Sequence, residues 1–221
     1  MQVFKVLNED QLALIRTSFQ ALDWKDGKDT ARGGAKDIKN NLQAYPGDPN
    51  FKPIEDIINQ ILFHSLVNKY VYAKNVVGLR ANSYSVGQTY GWHVDLSHMA
   101  KSRTDMSFTL FISDPEDYDG GELEMNSLGM NLKIKPKAGE IVVYPTGILH
   151  QVAEVTRGTR LAVVGWIESF IPSDDSREAL YKFAVGKGLV DSHVRSGTEI
   201  TEENAALLHE AYNQLIRVLS Y

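Results

Sequence analysis

Residues 137–169 read KAGEIVVYPTGILHQVAEVTRGTRLAVVGWIES. Apolar, β-branched runs at 141–144, 151–155 and 160–169 are parted by a proline-containing loop and by Thr156-Arg157-Gly158. Runs this short, punctuated by Pro and Gly, predict strands joined by turns rather than helices. The same texture extends toward the N-terminus, with runs at 76–84, 106–113, 121–125 and 132–134. Seven or eight short strands with no helix between them predict an antiparallel sandwich or jelly roll.

The flanks change character. In the first zone, residues 1–75, a short strand is expected at 4–6. Asn8 with Gln11 three residues on predicts a capping box. Leu12, Ile15, Phe19 and Leu22 follow at helical spacing. Residues 23–53, rich in Gly, Asp, Lys, Asn and Pro, predict a long irregular connection of the kind that often carries function. Helical period returns over 53–70 through Ile54, Ile57, Ile58, Ile61 and Leu62. The β core is expected over 76–170 and a C-terminal helical extension over 171–221. In that extension Ser173 or Asp174 caps a helix through Ala184, and Thr201 caps a last one. Leu207, Leu208, Ala211, Tyr212, Leu215, Ile216 and Leu219 form its apolar stripe, which either packs on the sandwich or makes a homo-oligomer. The fold class expected is therefore α+β with a mainly β core.

Composition narrows the function. Among 221 residues, 23 Lys+Arg against 28 Asp+Glu give a net charge of −5, so no nucleic-acid partner is expected. The absence of cysteine removes disulfides, thiolate catalysis and cysteine-ligated zinc or iron–sulfur clusters. No signal-peptide pattern and no run of 18 apolar residues occurs, so no membrane is expected and a cytoplasmic home fits.

The stretch YGWHVDLSH, residues 90–98, holds three ionisable groups. In extended chain His93 and Asp95, two apart, point to one face and can share an ion. His150, between two strand runs, is the best third ligand. Two histidines and a carboxylate make the facial triad of non-haem Fe(II) sites, with positions left open. An HxD pair alone is weak, and a polar loop remains the alternative. Arg160, ten residues beyond His150, adds context. A three-residue hairpin turn at 156–158 would set Glu154 opposite Arg160 and His150 opposite Val164, so Arg160 and His150 would share a face. Gly158 at its left-handed position favours that form. An inward arginine without an acidic partner calls for an anionic ligand such as a dicarboxylate, whereas an outward one would be ordinary surface. Tyr84 could reach a cosubstrate carboxylate. Val152 and Trp166 share the parity of His150 and Arg160 and would line the site. His98, five past His93, belongs at the mouth rather than on the ion.

The set His93, Asp95, His150 and Arg160 resembles the iron- and 2-oxoglutarate-dependent dioxygenases. More narrowly, the chain is similar to the PKHD-type hydroxylases of the prolyl 4-hydroxylase group. The resemblance is carried by KNNLQ at 39–43, NSYSVGQTYGWHVD at 82–95, RTDMSFTLFISDPEDYDGGELEM at 103–125, the quoted 137–169 stretch, and EENAALLHEAYNQLIRVL at 202–219. It implies a double-stranded β-helix (jelly roll) flanked by N- and C-terminal helices. It implies Fe(II) on His93, Asp95 and His150, and 2-oxoglutarate on Arg160 with help from Tyr84. Dioxygen is then the oxidant, with ascorbate as an accessory. The implied substrate is a prolyl residue of a peptide or protein, in the cytoplasm of a bacterial or virus-infected cell. A free amino acid or small metabolite, a non-catalytic jelly roll holding metal and anion, and a zinc hydrolase are the alternatives. Asn40 and Asn41 in KNN raise the question of whether the 23–53 segment is a lid. The segment LSHMAKS at 96–102 is shorter than the family's bacterial members lead one to expect, at the edge of the site.

Overall fold

A computed structural model describes residues 1–30, 33–127, 129–196 and 201–219. The chain divides into two compact units, one of residues 1–60 and 75–168, the other of 61–74 and 169–221. These units cut across the three zones read from composition: the N-terminal segment falls with the β core.

The first unit is built on two antiparallel sheets. The larger runs β1 (Gln2–Lys5), β13 (Glu140–Pro145), β9 (Met106–Phe111), β15 (Val155–Ser169), β5 (Ala73–Ser85), β4 (Leu42–Ala44) and β2 (Lys25–Asp26), with β10 (Tyr118–Gly120) pairing onto β15. The smaller runs β12 (Met130–Ile134), β11 (Leu123–Ser127), β14 (Leu149–Val152), β6 (Thr89–His93) and β3 (Lys39–Asn40). A two-residue hairpin pairs β7 (His98–Met99) with β8 (Ser102–Arg103). Every residue of β9 is buried, the polar Ser107 and Thr109 that alternate with Met106, Phe108 and Leu110 included, so both faces of this strand are covered. Phe111, Val142 and Tyr144 from the larger sheet pack with Leu123 and Met125 from the smaller, and this cluster joins the two layers.

Helix α1 (Glu9–Ala21) begins at the expected capping box: the Gln11 amide donates to Asn8 Oδ1 at 2.8 Å. It buries Ile15 and Phe19. Arg16 fastens it by donating to the Ile112 carbonyl at 3.0 Å. The helical run at 53–70 is two helices, α2 (Lys52–His64) and α3 (Asn68–Val71). Ser65 breaks them: its hydroxyl donates to Ile61 O at 2.6 Å and accepts from Val67 N at 3.1 Å.

Three expectations need correction. The turn at 156–158 does not exist. β14 belongs to the smaller sheet and β15 to the larger, and β15 runs on through Gly158, which pairs with Tyr118 of β10. His150 lies inside β14 rather than before a strand at 151–155. The 23–53 segment is not wholly irregular, since β2, β3 and β4 extend both sheets from it.

In the second unit α4 (Asp174–Ser196) runs well past Ala184, and α5 (Glu202–Leu219) starts at Thr201, whose hydroxyl accepts from Asn204 N at 3.3 Å. The α5 stripe meets α4. A Cβ on Gly186 would sit 2.9 Å from Leu208, so glycine there permits the approach. Ala211 is buried and Tyr212 exposed; the side chains of Ile216 and Leu219 lie outside the described residues. No helix among the described residues is long and apolar enough to cross a membrane.

Candidate active site

Strands β6 and β14 are neighbours and place His93 directly opposite His150, with ring centres 4.3 Å apart. Asp95 follows two residues beyond the end of β6. Its two carboxylate oxygens lie 3.7 Å from His93 Nε2 and 3.6 Å from His150 Nε2. One ligand atom from each residue lies within 4.8 Å of the others.

The tautomers follow from hydrogen bonding. His93 Nδ1 is 2.7 Å from Gly91 O and His150 Nδ1 is 2.8 Å from Ile148 O. A carbonyl only accepts, so each Nδ1 carries the proton and donates. Each Nε2 faces Asp95, the arrangement of a metal-ligating histidine held by a backbone carbonyl. Burial, with His150 beside it, pushes the His93 imidazole down to about 4, so it is neutral at pH 7. Ser107 on β9 donates to Asp95 Oδ2 at 2.9 Å and fixes the carboxylate from the opposite sheet. The donor set of two imidazoles and one carboxylate fits Fe(II) with open positions.

A β-bulge tightens the site. Between the pairs His150–His93 and Val152–Tyr90, β6 spends one residue more than β14. Strict alternation would turn Tyr90 away from His93. The extra residue brings both to the cavity, where their rings stack 3.6 Å apart.

Arg160 lies on β15 of the larger sheet and is 1% exposed. The chain changes sheets between Val152 and Val155, so Arg160 and His150 meet across the sandwich rather than along a hairpin. Its guanidinium lies 5.4 Å from the Tyr84 ring centre and 5.0 Å from that of Phe111. Its Nε has no hydrogen-bond partner, and no carboxylate among the described residues pairs with it. A Cβ on Gly121 (φ +64°) would stand 3.2 Å from Arg160 Cδ, so this glycine makes room for the arginine. A fully buried cation with a free donor is a fitted place for an anion. Tyr84 is buried beside it, and burial raises its hydroxyl well above the usual phenol range, keeping it a donor. Val152 and Trp166 line the same cavity of about 560 Å3 as the histidines, Asp95 and Arg160. His98 stands apart from the three clustered groups, exposed on the β7–β8 hairpin, and borders the cavity.

The sequence reading missed one wall. Lys39, Asn41 and Gln43, assigned to an irregular connection, are buried. Lys39 Nζ donates to Thr30 Oγ1 at 2.8 Å and Gln43 Oε1 at 3.2 Å, while Asn41 and Gln43 donate to Asn82 Oδ1 at 3.0 and 2.6 Å. A signal was present in the spacing of two between 39, 41 and 43, although the structure puts Lys39 and Gln43 on strands of different sheets. Arg80 of β5 joins them, its guanidinium 4.9 Å over Trp166.

Comparison with known proteins agrees with this geometry. Residues 79–168 match the model of the 2OG-Fe(II) oxygenase superfamily. A PKHD-type hydroxylase of Prochlorococcus marinus (strain SARG) is 41% identical over 201 residues, 89% of this chain and 87% of that protein. Another, from Prochlorococcus marinus (strain MIT 9313), is 35% identical over 97% of this chain and 96% of its own length. A Pseudomonas putida prolyl-4-hydroxylase shares the fold with a TM-score of 0.51 at 22% identity, covering 76% of this chain and 91% of that one. A 2OG-Fe(II) oxygenase family oxidoreductase from Burkholderia pseudomallei does so at 0.56 and 16%, covering 74% and 81%. The chain belongs to the PKHD-type hydroxylases of the 2OG-Fe(II) oxygenase superfamily and is a dioxygenase.

Proposed function

We propose that this enzyme hydroxylates a C–H bond of a prolyl residue in a peptide or protein. In the reaction, 2-oxoglutarate, dioxygen and the substrate give succinate, carbon dioxide and the hydroxylated product. The observation that carries the reading is one cavity holding both the His93–Asp95–His150 cluster and the unpaired, buried Arg160. Fe(II), when bound, supplies the activation of dioxygen that side chains cannot perform. His93, Asp95 and His150 would hold it, with Ser107 orienting the carboxylate. Arg160 would grip the distal carboxylate of 2-oxoglutarate by charge-assisted bonds, aided by the Tyr84 hydroxyl. Val152 and Trp166 line the cavity with apolar surface that displaces water from the reacting C–H bond. Support for a prolyl target comes from the family and from the prolyl-4-hydroxylase fold neighbour. Ascorbate is proposed as an accessory reductant, and its omission is one arm of the assay.

The test incubates the enzyme with Fe(II), 2-oxoglutarate and a bacterial peptide library, and reads succinate release and oxygen incorporation by mass spectrometry. Gain of one oxygen on proline, dependent on Fe(II), is the expected result. Oxygen found only on other residues would refute the prolyl assignment. Zinc-supported turnover without dioxygen would refute the dioxygenase mechanism. A free amino acid or small metabolite is the second reading, favoured by the cationic wall at Lys39 and Arg80.

A further inference from the structure

Two cations of the cavity wall serve neither the histidine–aspartate cluster nor Arg160. Lys39 comes from the edge strand β3 of the smaller sheet and Arg80 from β5 of the larger. Both converge on Thr30 Oγ1, Lys39 Nζ at 2.8 Å and Arg80 at 3.4 Å. Lys39 Nζ lies 5.1 Å from the centre of the Tyr90 ring, and that ring stacks on His93. This cationic shelf therefore stands one ring away from the proposed metal. Lys39 is only 2% exposed, yet no carboxylate among the described residues pairs with it or with Arg80. Burial, then the repulsion of Arg80, pushes the Lys39 ammonium down to about 8, which still leaves it charged at pH 7. Asp95 and Asp26 attract Lys39, and Asp95 attracts Arg80, only from beyond contact distance, so two like charges held together here destabilise the fold unless a ligand supplies an anion in contact.

The shelf is distinct from Arg160. Tyr84 touches Arg160 and lies four residues beyond Arg80 on β5, roughly 13 Å along the strand. Arg160 itself stands on β15, whereas the shelf is built from β3 and β5.

We propose that Lys39 and Arg80 receive a carboxylate of the substrate, so that the hydroxylated compound carries a free carboxylate close to the C–H bond attacked. The inference rests on the reading of Arg160 as the 2-oxoglutarate site. Donor geometry favours a carboxylate. Lys39 spends two of its three N–H groups on Thr30 and Gln43 and keeps one. Arg80, its guanidinium carbon 4.9 Å from the Trp166 ring centre, carries a planar fork that matches a planar two-oxygen acceptor. That carboxylate could be the terminus of an amino acid or peptide, or an acidic side chain.

The full chain is loaded with Zn(II) and saturated with 2-oxoglutarate, so that binding is read without turnover. It is titrated calorimetrically with N-acetylated proline, lysine and leucine, each as free acid and as amide. N-acetyl-aspartyl-prolinamide supplies a side-chain carboxylate, and O-phosphoserine amide a phosphate. At least one carboxylate compound should bind about ten-fold or more tightly than its neutral counterpart. The arm that does so separates terminal from side-chain carboxylate. Lys39→Met and Arg80→Gln should each erase that preference while 2-oxoglutarate affinity stays unchanged. Acids and amides binding alike, or not at all, would overturn the inference. So would a preference surviving both substitutions, or a phosphate preferred to every carboxylate. Loss of 2-oxoglutarate affinity in Lys39→Met with retention in Arg160→Ala would instead overturn the cosubstrate assignment, and this inference with it. If Lys39→Met does not fold, Arg80→Gln, at a half-buried position, decides alone.

Discussion

At the scale of single residues, Arg160 has the sharpest consequence. Its guanidinium is buried without a protein anion, so its removal deletes a ligand contact while breaking no ion pair. Loss of a charge-assisted bidentate contact costs about 2–5 kcal/mol, so Arg160→Ala should raise the 2-oxoglutarate KM by roughly 30-fold or more. Metal content, read by atomic absorption, should not change; an unaltered KM would refute the role. His93→Ala should abolish stoichiometric Fe(II) binding, measured anaerobically, whereas His98→Ala should leave it intact, because His93, unlike His98, faces Asp95 through its Nε2 and belongs to the clustered triad. Lys39 makes a stability prediction. Its folded-state pKa of about 8 lies below the usual 10.5, so from pH 8 to 10.5 the unfolded chain binds more protons. Stability should therefore rise with pH through that window, and the full cost, roughly 3 kcal/mol, is present at pH 7. Lys39→Met should be the more stable protein at pH 7 in denaturant titrations, with the advantage fading toward pH 10.5. A gain independent of pH would contradict the charge-burial explanation.

At the scale of elements, strand identity was legible and pairing was not. The runs at 76–84, 106–113 and 141–144 match β5, β9 and β13 closely, because buried strands announce themselves by apolar density. The hairpin drawn from 151–169 failed, since a turn-like Thr-Arg-Gly can equally be paired with a third strand, here β10. The bulge in β6 was invisible, because nothing local to TYGWH states which partner residue lies opposite. The β7–β8 hairpin carries a testable cost. Ala100 and Lys101, its two central residues, have φ of +46° and +72°, the left-handed pair that a type I′ turn requires. Left-handed backbone costs non-glycine residues about 1–2 kcal/mol each, and Asn-Gly is the preferred pair. Ala100→Asn with Lys101→Gly should stabilise the protein by about 1 kcal/mol or more in chemical denaturation; an unchanged midpoint would argue against this turn.

At the scale of the whole molecule, the site is a product of two layers. His93 and His150 come from the smaller sheet, whereas Ser107 and Arg160 come from the larger. Ligands that bridge the layers should stabilise the folded unit by linkage, about 2.7 kcal/mol at a hundredfold excess over Kd, or roughly 5–10 °C in Tm. Mn(II) should raise Tm in wild type and Arg160→Ala but not in His93→Ala. 2-Oxoglutarate should add a further rise in wild type only, and an equal rise in Arg160→Ala would count against that residue. What the sequence alone determined was the class of fold, the HxD pair with its distant histidine, and the family, because short apolar runs and motif spacing are local and linear. Only the tertiary structure decided which sheet each strand joins, that Arg160 reaches the cavity across the sandwich, and that Lys39 and Arg80 converge on Thr30. The physical reason is that strand pairing is long-range: hydrogen-bonded partners dozens of residues apart leave no local signature, and side-chain convergence exists only once the two layers close.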